Sequence, residues 1–241
     1  MKKHSINMFQ VPPLMVFEYE GELNKILTHI EDLEYIRGGY SDVTTTVRSR
    51  SKSSYVLDDD NLKELKQFCL DSVYEYVGEV LGIDDEIEIQ QSWVNYNKPG
   101  QFQQEHYHPN SFVSGVFYLM SDPEKGAPIT FKSELYKSNF SVNMIQKDPQ
   151  AFYPSTAYAF SYPSVSGQLI LFSSTVTHMV PMNNSDSDRI SLSFNTYPKL
   201  PFGSDEGLTR VRGWQGKDMV LYLLCWIDGF DTGVTESNLL A

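Results

Sequence analysis

Gln101-Phe-Gln-Gln-Glu-His106-Tyr-His108-Pro-Asn-Ser-Phe-Val-Ser-Gly-Val-Phe-Tyr-Leu119 carries two of the chain's five histidines directly ahead of an apolar, aromatic run. The run from Phe112 to Met120 reads as a buried strand. On an extended backbone, side chains at i and i+2 share a face, so His106 and His108 are expected side by side. Two imidazoles at the rim of a strand pair can supply half of a metal site. A third, His178, has a similar setting. It follows the apolar run Leu169-Ile-Leu-Phe172 and precedes the strand-like Arg189-Ile-Ser-Leu-Ser-Phe-Asn195.

Around these strands the pattern is mixed. Leu23, Ile26, Leu27, Ile30 and Leu33 recur with helical spacing and predict a helix over Glu22–Ile36. His29 lies within it and reads as a packing or hydrogen-bonded residue; His4 sits in a terminus expected to be disordered. Phe9–Pro12 and Leu14–Phe17, among prolines, read as short edge strands. A polar stretch over 37–55 reads as a loop. Leu62, Leu65, Cys69, Val73, Val77 and Val80 predict a second helix over 59–81, with Asp58-Asp-Asp60 at its start and Gly82 past its end. From Ile87 onward strands dominate: Ile87–Tyr96, Phe112–Met120, Pro128–Phe131, Gln168–Ser173, Thr177–Pro181 and Arg189–Tyr197. Two helices followed by many short strands predict a mainly β fold with covering helices, a sandwich or open barrel.

Composition narrows the function. Net charge is −12, from 31 acidic and 19 basic residues, which argues against nucleic acid as a partner. The one basic cluster, Arg48–Lys52, reads as a solvated loop. Cys69 and Cys225, far apart in helix-like patterns, read as buried thiols. The start of the chain lacks a signal-peptide core, and the longest apolar run, Met219–Ile227, falls well short of the ~20 residues of a membrane span. A cytoplasmic protein with no membrane contact is the expectation. The segment Lys217–Phe230 reads as a helix that packs on its own domain, closes one end of the barrel, or forms a homodimer interface.

Taken in order, His106-Tyr-His108-Pro-Asn-Ser-Phe-Val-Ser-Gly115-Val-Phe-Tyr118, Gly167-Gln-Leu-Ile-Leu-Phe172, His178 and Arg189-Ile-Ser191-Leu-Ser-Phe-Asn195, together with Trp93-Val-Asn95, resemble the iron(II)/2-oxoglutarate-dependent oxygenase family related to the prolyl hydroxylases. The resemblance spans about residues 55–198. It implies a double-stranded β-helix (jelly-roll) and a three-part division: a helical and loop segment over 1–54, the oxygenase core over 55–198, and an extension over 199–241. It implies iron(II) as cofactor and 2-oxoglutarate as co-substrate. The implied reaction is oxidative decarboxylation to succinate and carbon dioxide coupled to hydroxylation of a peptide side chain or a small molecule. His106 and His178 become metal ligands, and Arg189 with Ser191 the anchor for the far carboxylate of 2-oxoglutarate.

The residues themselves agree with that anchor. Arg189 and Ser191 share one strand face, and Ile190, Leu192 and Phe194 the other. An arginine lining a cavity needs an anion, which 2-oxoglutarate would supply. The alternative places Arg189 on a surface rim beside Asp186 or Asp188. Asn95 is a candidate for positioning the co-substrate or for bonding within the rim; Tyr118 is a further contact candidate.

One departure matters. The family carries His-x-Asp or His-x-Glu where this chain has His106-x-His108. His108 is then a third ligand, or a group behind the ligands, or the place is filled by Glu105. A three-histidine dioxygenase that uses no 2-oxoglutarate and a non-catalytic jelly-roll binding module are the competing functions. The aromatic stretch 132–166, with Tyr136, Phe140, Phe152, Tyr153, Tyr158, Phe160 and Tyr162, reads equally as a substrate-binding lid or as extra strands.

Overall fold

The computed structural model describes residues 3–8, 11–37, 49–122, 124–132, 159–204, 206 and 209–212. The chain divides into two compact units, Met1–Pro198 and Lys199–Ala241. The expected helix over 217–230, and with it Cys225, lies outside the described residues. Within the second unit the described residues include one antiparallel bridge, Phe202 to Val211.

Among the described residues the first unit holds twelve strands. They are β1 (Lys3–Met8), β2 (Val11–Glu18), β3 (Tyr35–Arg37), β4 (Ser49–Ser51), β5 (Ile87–Asn97), β6 (Gln103–His106), β7 (Val113–Met120), β8 (Ile129–Lys132), β9 (Ala159–Tyr162), β10 (Gln168–Ser173), β11 (His178–Val180) and β12 (Arg189–Pro198). Helix α1 covers Leu23–Glu31 and α2 covers Lys63–Glu79. The strands form an eight-stranded sheet ordered β1-β2-β10-β7-β12-β5-β4-β3 and a four-stranded sheet ordered β6-β11-β8-β9. From β5 to β12 the chain crosses repeatedly between the two. Strands β5, β7, β10 and β12 fall in the large sheet, and β6, β8, β9 and β11 in the small one. This antiparallel winding is the double-stranded β-helix.

Along β2, β7 and β10 the large sheet is apolar on both faces, for two different reasons. Its outer face meets the helices: Val94, Phe117, Leu169, Leu171, Leu192 and Phe194 pack with Ile30, Leu65, Cys69, Val73 and Tyr76. Its inner face meets the small sheet through Val16, Val116, Ile170, Phe172, Ile129 and Phe131. Odd and even positions of β7 and β10 therefore both need apolar side chains, which explains their unbroken hydrophobic runs. Opposite Phe194 on β7 stands Gly115, where any Cβ would overlap the buried Phe194 ring. Gly115→Ala is expected to destabilise the fold by about 1–3 kcal/mol, seen as a lower melting temperature.

Several local expectations change. β2 is no edge strand; it lies between β1 and β10, and Leu14, Met15, Val16 and Phe17 are all buried. The prolines mark only its beginning, while the unbroken apolar run marks a strand covered on both faces. His4 pairs with Val16 in β1 rather than fraying. α1 stops at Glu31, because Tyr35–Arg37 joins the sheet by pairing with β4. The polar stretch over 37–55 thus includes a strand, although 38–48 lies outside the described residues. Two 3-10 turns precede α2; the Asp59 carboxylate accepts from Asn61 N at 2.9 Å and caps the second of them. His29 pairs with Asp59 at 3.0 Å. Of the aromatic stretch, Phe160 and Tyr162 lie on β9, which pairs with β8, and they pack against the inter-sheet core. Tyr136, Phe140, Phe152, Tyr153 and Tyr158 lie outside the described residues. Among the described residues no helix is long and apolar enough to cross a membrane.

Candidate active site

The polar patch of the inner face lies where β5 and β12 run side by side. Register pairs Arg189 with Asn97, Ser191 with Asn95 and Ser193 with Trp93. Side chains of a strand alternate faces, so Trp93, Asn95 and Asn97 share one face with Arg189, Ser191, Ser193 and Asn195. Across from them, β6 and β11 pair His106 directly with His178. One cavity is lined by residues of all four strands.

The three histidines converge. Ring centroids are 4.3 Å apart for His106 and His178, 5.0 Å for His108 and His178, and 5.2 Å for His106 and His108. One nitrogen from each falls within 4.8 Å of the others. Each ring is oriented through Nδ1, which donates to Gln104 O from His106, to Val176 O from His178 and to Asn195 Oδ1 from His108. A carbonyl oxygen can only accept, so the lone pair of every ring sits on Nε2. Behind His108 stands a neutral network in which Ser114 donates to Asn195 Oδ1 and meets Ser174, which meets Ser111. Three imidazoles aligned from behind by hydrogen bonds suit a divalent transition metal. Glu105, the alternative to His108, turns out to an ion pair with Lys132.

His178 is 3% exposed. Burial, and after it the neighbouring His106, push its pKa from 6.5 down to about 3. Below pH 6.5 the unfolded chain takes up a proton here that the metal-free folded protein refuses. Stability is therefore lost as pH falls from about 6.5 towards 3, by up to about 1.4 kcal/mol per pH unit from this group. Melting curves of metal-free protein between pH 7.5 and 5 check this; His178→Gln should flatten the dependence.

Arg189 is 2% exposed, not on a rim. Its Nε donates to Ala127 O at 3.0 Å and its Nη1 to Ser191 Oγ at 3.3 Å. The guanidinium lies 5.0 Å from the Tyr118 ring centre. No carboxylate pairs with it among the described residues, and Nη2 has no hydrogen-bond partner. Asp188 instead accepts from Tyr96 Oη at 2.7 Å. Burial lowers the pKa of the guanidinium and raises that of the Tyr118 phenol, yet an arginine remains a cation. A buried, unneutralised cation costs several kcal/mol, and an anionic ligand removes that cost.

Asn95 lines the cavity, but its amide is engaged: Trp93 Nε1 donates to it and it donates to Ser193 Oγ. Asn97, Gln103, Ser193, Asn195 and Ser114 escaped the sequence reading. Extending the period-two alternation from Asn95 and Arg189 along their own strands would have found Asn97, Ser193 and Asn195; nothing local marks Gln103 or Ser114.

The sequence matches the model of the family described as "Putative 2OG-Fe(II) oxygenase" over residues 91–195, the stretch that contains all three histidines and Arg189. Residues 91–195 are thus similar to this oxygenase family. The family's description names iron(II) and 2-oxoglutarate. No curated protein sequence matches the oxygenase. Among solved structures it is similar to SnoN, a non-heme alpha ketoglutarate dependent epimerase from nogalamycin biosynthesis (13% identity, 86% of this chain and 90% of that one, TM-score 0.58). HygX from Streptomyces hygroscopicus, solved with nickel, 2-oxoglutarate and hygromycin B, is also similar (12% identity, 87% and 95%, TM-score 0.54). So is SnoK, a carbocyclase from nogalamycin biosynthesis (13% identity, 88% and 87%, TM-score 0.53). At such identities the likeness is one of fold, and the double-stranded β-helix is the shared element.

Proposed function

We propose that the oxygenase hydroxylates a small molecule or a peptide side chain, with His106, His108 and His178 holding iron(II) and Arg189 holding 2-oxoglutarate. The observation that carries this reading is the buried guanidinium without a carboxylate, lining the same cavity as three convergent imidazoles. Together, iron(II) and 2-oxoglutarate supply an oxidant from dioxygen, with succinate and carbon dioxide as co-products.

The chain's own residues do the rest. Arg189 Nη2, with Ser191 and Tyr118 beside it, binds the far carboxylate of 2-oxoglutarate by charge-assisted hydrogen bonds. The Nδ1 bonds to Gln104, Val176 and Asn195 hold each imidazole in one tautomer, with Nε2 turned to the ion. His108 in place of a carboxylate makes the site one unit more positive, which favours a dianionic co-substrate. Val116, Ile129 and Val180 line the cavity with apolar surface and keep water from the reacting centre. A small-molecule substrate accords with the fold shared with SnoN and HygX, whose structures contain nogalamycin RO and hygromycin B. We propose in addition that 1–54 supports the core over 55–198, that 199–241 is an extension and homodimer contact, and that the oxygenase works in the cytoplasm.

The test is succinate formation from 2-oxoglutarate with and without iron(II), across a panel of small molecules and peptides. Iron-dependent succinate, raised by at least one panel member, supports the reading. Turnover that ignores 2-oxoglutarate favours a three-histidine dioxygenase.

A further inference from the structure

Asn97 ends β5 fully buried, directly across the strand pair from Arg189. It lines the same cavity, and among the described residues neither its amide nitrogen nor its amide oxygen has a hydrogen-bond partner. Its backbone, by contrast, is fixed: Asn97 O accepts from Asn183 Nδ2 at 3.2 Å. Asn183 is itself braced, donating to Ser187 O and accepting from Ser185. A rigid mount thus presents an unsatisfied amide to the cavity. Arg189 Nη2 and Tyr118 Oη are also buried without partners. Two orphaned donors, Asn97 Nδ2 and Arg189 Nη2, therefore face one cavity from adjoining strands, with Tyr118 beside the guanidinium. Buried polar groups are ordinarily satisfied, and Asn97 Nδ2 and Arg189 Nη2, both open in one cavity, mark where a ligand completes them. Asn97 Oδ1 and Gln103 Oε1 are open acceptors there as well, but an amide N–H beside a guanidinium can join it in binding a carboxylate.

We propose that Asn97 is a co-substrate-binding residue, donating its amide to the far carboxylate of a dicarboxylic 2-oxo acid alongside Arg189. It thereby selects dicarboxylic over monocarboxylic 2-oxo acids. The inference rests on the reading of Arg189 given above and adds to it a residue of β5.

The test compares 2-oxoglutarate with pyruvate, which has the 2-oxo acid end but no second carboxylate. Binding of each to the iron(II)-loaded full chain is measured by calorimetry under nitrogen. Wild type should favour 2-oxoglutarate. In Asn97→Ala that preference should shrink about 10- to 100-fold, the loss of one hydrogen bond to a charged group, with pyruvate affinity little changed. Equal weakening of both ligands would mark a purely structural role and overturn the proposal, as would an unchanged preference. Asn97→Asp guards against a folding failure of the alanine variant. It sets a carboxylate across from Arg189, within cross-strand reach, and should abolish the preference without lowering the melting temperature. A preference retained in Asn97→Asp would also overturn the proposal. If wild type itself shows no preference, the Arg189 reading fails first, and the two failures are told apart.

Discussion

Replacing Arg189 by methionine should abolish 2-oxoglutarate binding while leaving the fold intact or firmer. The two halves have one cause. In the free protein the guanidinium is buried, bonded only to Ala127 O and Ser191 Oγ, and unpaired with any carboxylate among the described residues. An apolar side chain of similar length removes a desolvated charge, and such replacements are commonly neutral or stabilising. In the complex the same change leaves the ligand's far carboxylate buried without its partner. That costs about 2–5 kcal/mol, or roughly thirty- to several-thousand-fold in affinity. Arg189→Lys should fall between, keeping the charge and losing the planar pair of donors. Calorimetry for binding and thermal melts for stability read the two halves separately. A methionine variant that melts far below wild type, yet binds 2-oxoglutarate, would show the arginine to be a structural cation.

His178→Ala should lose the metal. Its ring stands closest to His106 and at a similar distance from His108, so it completes the triangle. Removing a ligand should weaken iron(II) by at least the 10- to 100-fold typical of losing a group that merely orients one. His108→Ala is the sharper case. If His108 ligates, its loss equals that of His178→Ala, and Asn195→Ala behind it should cost the intermediate 10- to 100-fold. If His108 stands behind the ligands, metal affinity hardly moves in either variant. Anaerobic iron(II) titration of the three variants separates these outcomes, with melting temperatures as the control for folding.

Much of this site could be read from the sequence because strands write their geometry at period two. His106 and His108, and Arg189 and Ser191, are adjacent members of alternating rows, and the row itself is local information. What the rows meet across space is not local. The direct pairing of His106 with His178 depends on β6 and β11 lying together in the small sheet. Arg189 points inward in register with Asn97, while the neighbouring Asp188 accepts from Tyr96. The misplaced elements share a cause of the opposite kind. The apolar run Leu14–Phe17 was weighed against its prolines, although a run without alternation indicates cover on both faces. The helical period extends past Glu31 because Leu33 continues it, while β4 captures Tyr35–Arg37 by backbone pairing. Gln103 and Ser114 carry no local mark, since their importance comes only from what stands opposite.

Three imidazoles and one guanidinium are proposed to serve a single chelate. Its most direct measurement is 2-oxoglutarate binding under nitrogen, with and without one equivalent of iron(II), in wild type, His178→Ala and Arg189→Met. Wild type should bind one iron per chain, and 2-oxoglutarate tightly only when iron is present. His178→Ala should lose both ligands, and Arg189→Met should lose 2-oxoglutarate with iron retained. Binding of 2-oxoglutarate that ignores iron, or iron binding untouched by His178→Ala, would contradict the single chelate.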